Sequence, residues 1–370
     1  MSQTQTTIPT KNTGDSLTSS EFNEVNNTLN ANSNDAEPRL QNIETDVTAN
    51  ESKVVVIEDT DTSDIKSYGT GSLPSNLTNG TIVYDTSMEV PVYTQNNAWF
   101  RASDDAALSG FTEVDMFIVM GQSNADGKAD FTLLDSLTSR TLESLDRTGT
   151  LMHQSSIDHT TREYQEGAWG NINPGTNTAQ AADRFGPELG FTDTIKATVD
   201  GGGNATFSKP IAIMKFAKGA TDLGNNWDSP SGDCYTAMIQ DIPNSKYDLG
   251  QLNYKFNIRG MIWYQGESDA GNLTYATNYE ANLNAFIADV RARFNTPNLP
   301  IILCKIGYTA GNEPTYYTEV RDALQAVSDN DSNIDIIDTE PYDKRDSVHL
   351  NAKGMYELGE AIVPLMQALL

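Results

Sequence analysis

The amino-acid sequence predicts an α/β fold, with a mostly parallel sheet covered by helices, from about residue 109 to residue 370. Three observations lead to this prediction. Runs of apolar and β-branched residues indicate buried strands, other segments carry apolar residues at helical spacing, and the two kinds of segment alternate along the chain. Such alternation is typical of a parallel sheet with helices on its faces.

The first 60 residues differ in composition from the rest of the chain. They are rich in Asn, Thr, Ser, Asp and Glu, and such a stretch cannot bury enough surface to fold alone. After Pro38 a heptad seam with one polar member is formed by Leu40, Ile43, Val47, Asn50, Val54 and Ile57. Because a helix this short is marginal alone, we expect residues 1–60 to be a self-associating, partly coiled-coil stalk, trimeric rather than dimeric. The alternative is a disordered tail with chance spacing.

Residues 61–108 are expected to form a small β module. Turn-forming residues fill positions 71–80, and the segments 81–85 and 90–94 then alternate in polarity like strands. Asn96 and Asn97 form a turn signal before a third short segment, 98–100. The pattern indicates a β meander.

Within the third part, residues 109–370, the elements follow from the apolar pattern. Strands are expected at 116–120, 210–216, 258–264, 300–306 and 334–338. Helices are expected at about 279–294 and 315–328, and in a last helix whose inward face carries Met355, Leu358, Ile362, Leu365 and Leu369. The irregular stretch from about 128 to 182 is expected to form loops over one end of the sheet.

The chain is strongly acidic, with 24 Lys and Arg against 51 Asp and Glu and a net charge of −27. Such a charge repels phosphate backbones and anionic lipid, so we expect no nucleic-acid partner and no binding to a membrane surface. No apolar run is long enough to span a bilayer, so we expect no membrane insertion. The first residues, MSQTQTTIPTKNTGDS, contain no apolar core, and we expect no signal peptide. No CxxC, HExxH or similar cluster indicates a metal, and no cofactor is expected.

Polar clusters stand where predicted strands end or where the last helix begins. They are Gly121-Gln122-Ser123-Asn124, Lys218-Gly219-Ala220-Thr221-Asp222, Gln265-Gly266-Glu267-Ser268-Asp269 and Asp346-Ser347-Val348-His349. A parallel sheet gathers the carboxyl ends of its strands on one edge, so clusters that are distant in sequence are expected to converge there.

These clusters contain the parts of a nucleophilic site. Ser123 follows a buried strand and a glycine, which favours a sharp turn that presents the hydroxyl. A serine needs a base, and among His153, His159 and His349 only the last has a carboxylate, Asp346, three residues before it. Glu267 is the alternative acid that would orient the histidine.

A serine nucleophile also requires donors for the oxyanion that develops during acyl transfer. The natural donors are the backbone N–H groups of Ser123 and Gly219, together with the side-chain amide of Gln265. The amides of Gln122 and Asn124 are the reserve candidates.

Several blocks of the sequence occur in the order found in one enzyme family. They are GQSNADG, FGPELGF (185–191), KFAKGATDL with NNW (215–227), IWYQGESDA (262–270) and DSVHLNAKG (346–354). Together they resemble the SGNH hydrolases, and within them the sialate O-acetylesterase-like and acetylxylan-esterase-like carbohydrate esterases. The resemblance covers residues from about 110 to 370.

This resemblance implies a three-layer α/β/α fold of the flavodoxin-like kind and metal-free removal of O-acetyl groups from sugars. It implies Ser123 as nucleophile, His349 as base and Asp346 as the orienting acid, with Gly219 and Gln265 at the oxyanion hole. The sequence departs from the branch at 125–126, where a bulky apolar residue often follows the asparagine. It departs again at 220, where alanine replaces a common second glycine.

The amino-terminal quarter resembles proteins of another kind. GTIVYDTS and VPVYTQNNAWFRA, following TKNTGDSLTSSEFNEVNN, resemble attachment and linker modules of bacteriophage tail fibre and tailspike proteins. The two resemblances together imply a virion protein, joined to other tail proteins, that deacetylates an O-acetylated polysaccharide at the host cell surface. With the self-associating stalk, we expect this protein to be a homotrimer. The alternatives are a non-viral bacterial carbohydrate esterase, and a receptor-binding module that binds glycan without turnover.

Overall fold

The computed structural model describes residues 112–370 except 155–168, 175, 176, 180, 182, 239–248, 250, 251, 253 and 295. Before residue 112 it describes the backbone of short strands. The chain divides into two compact units, Met1–Phe111 and Thr112–Leu370. The expected boundaries near residues 60 and 108 stay predictions.

The described strands of the amino-terminal unit form two small sheets. The strands are β1 (Leu40–Ile43), β2 (Val56–Asp59), β3 (Ser67–Tyr68), β4 (Ile82–Asp85), β5 (Val90–Gln95) and β6 (Ala98–Arg101). β4, β5 and β6 pair antiparallel in succession, which confirms the predicted β meander. β3 adds a parallel partner to β4.

The predicted helical heptad seam is wrong at its two ends. β1 and β2 pair antiparallel, with Leu40 opposite Asp59 and Ile43 opposite Val56. Ile43, Val56 and Ile57 are β-branched, and such side chains fit strands better than helices. Residues 1–39 and 44–55 lie outside the described residues, so the expected stalk and its self-association stay predictions.

The carboxyl-terminal unit is built on one large sheet. The strands of the unit are β7 (Thr112–Gly121), β8 (Ala129–Asp130), β9 (Leu151–Gln154), β10 (Gly170–Asn171), β11 (Arg184–Phe185), β12 (Ile211–Ala217), β13 (Tyr254–Tyr264), β14 (Ile301–Lys305) and β15 (Ile334–Asp338). Two of the short strands, β8 and β11, pair in a separate ribbon. The order across the large sheet is β10-β9-β12-β7-β13-β14-β15. Every neighbouring pair is parallel except β10 and β9.

Helices cover both faces of this sheet. They are α1 (Ser123–Asp126), α2 (Leu134–Thr138), α3 (Glu188–Asp200), α4 (Leu273–Arg293), α5 (Tyr317–Asp329) and α6 (Ala352–Leu369). α3 and α6 bury their apolar residues in one core, and α4 and α5 bury theirs in the other. The arrangement confirms the expected three-layer α/β/α fold. No helix in the described part of the chain is long and apolar enough to cross a membrane.

The central strand β7 joins the two cores. Its side chains alternate between the core of α4 and α5, which receives Val114, Met116, Ile118 and Met120, and the core of α3 and α6, which receives Phe117 and Val119. All six are fully buried, which explains the continuous apolar run in the sequence. After β7 the chain first adds β9 and β12 on one side of it, and then changes direction and adds β13, β14 and β15 on the other side. Such a change of direction opens a crevice at the carboxyl ends of the strands.

The stretch from 128 to 182 is less irregular than expected. It contributes β9 to the large sheet, and this strand lies parallel to β12 with Met152 opposite Ile213. His153 is therefore fully buried, against Trp169, with the two ring centroids 5.3 Å apart. Sequence reasoning missed β9 because its four residues, LMHQ, are too few to show a period.

Candidate active site

Ser123 stands at the carboxyl end of β7, where the chain turns into the short helix α1. The turn depends on Gly121, whose φ is +139° and whose Cα lies so close to β13 that a Cβ atom would be 2.1 Å from the carbonyl oxygen of Tyr264. No other residue type fits this position. Gln122 N–H then bonds the same Tyr264 oxygen at 3.0 Å, so β13 fixes the start of the turn.

Ser123, His349 and Asp346 form one hydrogen-bonded chain. Ser123 Oγ lies 2.9 Å from His349 Nε2, and His349 Nδ1 lies 2.9 Å from Asp346 Oδ2. A carboxylate only accepts, so it holds the imidazole proton on Nδ1 and leaves Nε2 free to accept the serine proton. The structure thus brings together three residues from opposite ends of the unit.

The Asp346 carboxylate is organised by its own loop. Its Oδ1 accepts hydrogen bonds from the backbone N–H of His349 at 2.8 Å and of Val348 at 3.0 Å. Partial burial alone would raise the pKa of Asp346, but these two N–H donors and the His349 side chain outweigh it and hold the pKa below its usual value. Asp346 is therefore ionised at neutral pH, as an acid that orients a histidine must be.

Glu267, the alternative acid, contacts Asn124 instead of the imidazole. Its Oε1 accepts from Asn124 Nδ2 at 2.8 Å, and the same Nδ2 reaches the carbonyl oxygen of Val348 at 3.2 Å. Asn124 Oδ1 accepts in turn from the backbone N–H of Leu350, at 3.2 Å. Burial raises the pKa of Glu267 to about 7. Asn124, a reserve oxyanion donor in the sequence, is thus engaged in tying the histidine loop to Glu267.

Ser123 and Gly219, whose backbone N–H groups are the expected oxyanion donors, lie close together. A Cβ atom built on Gly219 would be 3.7 Å from Ser123 Cβ, so the loop after β12 passes directly over the serine. No described hydrogen bond occupies the backbone N–H of either residue. The next residue, Ala220, has a φ of +58°, a left-handed conformation that explains why glycine is common there in the branch that the sequence resembles.

The side-chain amide of Gln265, expected to donate to the oxyanion, is engaged by other acceptors, and this is a correction to the sequence prediction. The side chain is fully buried, and its Nε2 lies within hydrogen-bond distance of Gln122 Oε1 (3.1 Å), the carbonyl oxygen of Thr221 (3.1 Å) and Asp269 Oδ2 (2.5 Å). An amide has two protons, so these acceptors use its donor capacity. Gln265 holds neighbouring loops together.

Gln122, the other reserve donor, is bonded through the carbonyl oxygen of its side chain. Its Oε1 accepts from Gln265 Nε2 and from the backbone N–H groups of Gly266 (3.4 Å) and Ser268 (3.2 Å). The three amides of the site therefore brace loops. Sequence reasoning missed this bracing role. The signal for it is a glutamine at the end of each of two adjacent strands, because a side-chain amide can both donate and accept hydrogen bonds.

Of the other two histidines, His153 is buried in β9 and His159 lies outside the described residues. Among the residues that the structure describes, no group of three or more His, Cys, Asp or Glu side chains is placed to hold a metal ion. The geometry that remains is a serine with an oriented imidazole beside it and the backbone of Gly219 close to it. Such an arrangement can carry out acyl transfer.

Comparisons with known proteins point to the same chemistry. A family described as carbohydrate esterase, sialic acid-specific acetylesterase, matches residues 113–368, which is more than half of the chain. A probable carbohydrate esterase of Arabidopsis thaliana is 29% identical over 175 residues. That match spans 47% of this chain and 60% of the Arabidopsis protein's length.

The chain was also compared with solved structures. An X-ray structure of the Arabidopsis thaliana protein has a TM-score of 0.52 at 22% identity, covering 69% of this chain and 98% of that chain, which supports the fold. A carbohydrate acetylesterase from Xanthomonas citri has a TM-score of 0.46 at 15% identity, covering 74% of this chain and 59% of that chain.

Proposed function

Because the chain belongs to the carbohydrate esterase family of sialic acid-specific acetylesterases, we propose that it is a serine carbohydrate O-acetylesterase. The observation that carries this proposal is the unbroken hydrogen-bonded chain from Ser123 Oγ through the imidazole of His349 to Asp346. In the proposed roles Ser123 is the nucleophile, His349 the general base and Asp346 the acid that orients it.

The first half of the reaction forms an acetyl-enzyme. Ser123 Oγ attacks the acetyl carbonyl carbon while His349 Nε2 takes the hydroxyl proton, and negative charge develops on the carbonyl oxygen. The N–H groups of Ser123 and Gly219 donate to that oxygen. The intermediate then collapses, the bond between the carbonyl carbon and the sugar oxygen breaks, and His349 returns the proton to the leaving sugar hydroxyl.

The second half frees the enzyme. A water molecule attacks the acetyl carbonyl carbon while His349 Nε2 takes one of its protons, and the same two N–H groups stabilise the second oxyanion. The bond to Ser123 Oγ breaks, the serine recovers its proton from His349, and acetate leaves. In balance, one ester and one water give one sugar hydroxyl, one acetate and one proton.

We further propose a setting for this activity, supported by the sequence resemblance of the first quarter of the chain to phage tail fibre and tailspike modules. The enzyme would be part of a homotrimeric phage tail protein, attached to other virion proteins, and would act at the host cell surface. Its substrate would be an O-acetylated bacterial capsule, O-antigen or exopolysaccharide. The β meander in the amino-terminal unit is compatible with such a linker.

Acetate release tests the enzymatic proposal. The full chain is assayed with an aryl acetate and with a panel of O-acetylated bacterial polysaccharides, beside Ser123→Ala. We expect wild type to release acetate and Ser123→Ala to lose at least about 10⁴-fold in kcat, since the nucleophile is removed. Thermal unfolding of both proteins controls for folding.

Three other results would contradict parts of the proposal. Equal acetate release by wild type and Ser123→Ala would exclude Ser123 as nucleophile. Tight binding of acetylated polysaccharide by wild type, with no acetate released from any ester, would replace the enzyme by a glycan-binding module. A monomeric full chain in sedimentation would contradict the trimeric tail protein and favour a non-viral bacterial carbohydrate esterase.

A further inference from the structure

The buried carboxylate of Asp269 reaches from the end of β13 to the loop that carries Gly219. We propose that Asp269 is a positioning residue for the reaction: it fixes the loop 218–224, here called the oxyanion loop, so that the Gly219 N–H points at the developing charge. This inference rests on the proposed function of the site and adds a residue that does not itself touch the reacting atoms.

The contacts of Asp269 are made to backbone donors of the oxyanion loop. Oδ1 accepts from the N–H of Leu223 at 3.0 Å and of Gly224 at 3.1 Å, and Oδ2 lies 3.0 Å from the same Leu223 nitrogen. Oδ2 also accepts from Gln265 Nε2 at 2.5 Å. Asp269 is fully buried, so water cannot replace these bonds. It therefore connects two loops that are 45 and 46 residues apart in sequence.

The rest of the oxyanion loop is held at its start and middle. Lys218 N–H donates to the carbonyl oxygen of Gly121 at 3.1 Å, in the turn before the nucleophile. Thr221 Oγ1 donates to the carbonyl oxygen of Lys218 at 2.7 Å and accepts from Trp227 Nε1 at 3.0 Å. Gly219 lies between these anchors, and Asp269 supplies the anchor at the far end of the loop.

The loop needs an anchor because its backbone is strained. Ala220, directly after Gly219, has a φ of +58°, a left-handed conformation that is unfavourable for an L-residue with a side chain. Such strain persists only where surrounding contacts over-determine the conformation. If the bonds from Asp269 to Leu223 and Gly224 were lost, relaxation of Ala220 would reorient the Gly219 N–H, which precedes it by one residue.

A carboxylate suits this position better than an amide. Its two oxygens together meet the N–H donors of Leu223 and Gly224 on one side and the amide of Gln265 on the other. Asparagine at position 269 has one oxygen, so its NH₂ group would face either a backbone N–H or Gln265 Nε2, donor against donor. Asp269→Asn therefore keeps size and hydrogen-bonding capacity but breaks one side of the bridge.

The experiment compares Asp269→Asn with Asp193→Asn. Asp193 is a buried carboxylate on α3 that bonds Arg147 at 2.7 Å and Tyr356 at 3.1 Å, in the opposite helical layer. Both variants lose a buried carboxylate, so both are expected to unfold at lower temperature. Activity is measured on an aryl acetate at a temperature where each protein is folded by circular dichroism.

We expect a split between kcat and KM that a stability defect alone does not give. In Asp269→Asn, we expect kcat to fall by about tenfold or more and KM to change by less than about threefold. The loss in kcat should stay below the roughly 10²- to 10³-fold loss that follows removal of an oxyanion donor. The Kd of phenylboronic acid, a tetrahedral mimic that bonds to the serine oxygen, rises in parallel with the loss in kcat. Asp193→Asn keeps both kcat and the boronate Kd.

Hydrogen exchange on wild type tests the contacts without any variant. The amides of Leu223 and Gly224 are expected to exchange only through global unfolding, since both donate to the buried carboxylate of Asp269. Rapid exchange of these two amides in the folded wild type would overturn the proposal even if Asp269→Asn failed to fold.

The outcomes separate this inference from the enzymatic proposal. Wild-type activity that is lost in Ser123→Ala but unchanged in Asp269→Asn refutes the positioning role and leaves the esterase proposal intact. Acetate release that persists in Ser123→Ala excludes Ser123 as the nucleophile, and with it the serine mechanism on which this inference rests. An equal loss of kcat in Asp269→Asn and Asp193→Asn means that loss of stability, and not loop position, lowers the rate, and it also refutes the positioning role.

Discussion

The loop that follows β13 and the loop that precedes α6 each bring a carboxylate to the neighbourhood of Ser123, and the two carboxylates lie in opposite environments. The side chain of Asp346 is 43% exposed, whereas Glu267 as a residue is only 7% exposed. Backbone and imidazole donors hold the pKa of Asp346 below its usual value, and burial raises the pKa of Glu267 to about 7.

The difference shows what each carboxylate can do. An ionised acid with N–H donors around it can stabilise the imidazolium that forms during the reaction, and Asp346 does contact the imidazole. A buried acid with a raised pKa is better suited to bracing. Glu267 reaches the histidine loop only through Asn124, whose Nδ2 bonds both Glu267 and the carbonyl oxygen of Val348.

Neutralising each acid in turn tests the different roles of Asp346 and Glu267 most directly. We expect Asp346→Asn to lower kcat by roughly 10³- to 10⁴-fold, because the amide no longer fixes the imidazole tautomer. We expect Glu267→Gln to lower kcat by less than about tenfold, since a glutamine oxygen still accepts from Asn124. Initial rates on an aryl acetate, with the melting temperature of each variant as the folding control, measure both effects.

The reverse order of losses would contradict the assignment of the two acids. If Glu267→Gln lost more turnover than Asp346→Asn while both stayed folded, Glu267 would be the acid that orients His349 in the working enzyme. Equal, large losses would mean that the two carboxylates act as one coupled unit.

The raised pKa of Glu267 is expected to make the stability of the protein depend on pH. Burial raises the pKa of Glu267 from its usual 4.5 to about 7 in the folded protein. The folded state then holds this proton more tightly than the unfolded chain. The contribution of Glu267 to the free energy of unfolding therefore falls as pH rises from about 4.5 to about 7 and is constant above.

Glu267→Gln removes this titration. Relative to wild type, the variant should gain stability across that range, by up to about 3 kcal/mol in order of magnitude. Urea unfolding at pH values from 4 to 8 measures the difference, with Glu280→Gln on the exposed face of α4 as the control. A difference between wild type and Glu267→Gln that does not change with pH would contradict the raised pKa.

The smallest expected effect lies in the oxyanion loop, next to the buried carboxylates. Ala220→Gly removes a left-handed alanine at φ +58° but also gives the unfolded chain more freedom. The strain relief is about 1–2 kcal/mol and the entropy term about 0.4–1 kcal/mol. We expect a net stabilisation of about 1 kcal/mol or less, read from the urea midpoint at constant m-value. A marked destabilisation would mean that the alanine methyl group packs favourably and that this backbone carries no strain.

Much of the architecture could be predicted from local pattern. The strands of the parallel sheet, the β meander and the last helix were expected from apolar runs and helical spacing, and Asn351 caps α6 through Gly354 N–H at 2.9 Å. The pair of Asp346 and His349 was also readable, because an acid three residues before a histidine can contact it within one loop. The heptad seam failed at β1 and β2, since the same apolar residues can also pair as strands.

The sequence by itself determined which residue types stand at the ends of the strands, and hence that a serine, a histidine and an acid would meet on one edge of the sheet. Only the tertiary structure decided which partner each polar side chain takes. Glu267 bonds Asn124 across 143 residues, and the amide of Gln265 donates to Asp269. The physical reason is that apolar periodicity fixes the elements through short-range geometry, whereas the pairing of buried amides and carboxylates depends on strand order, register and loop path.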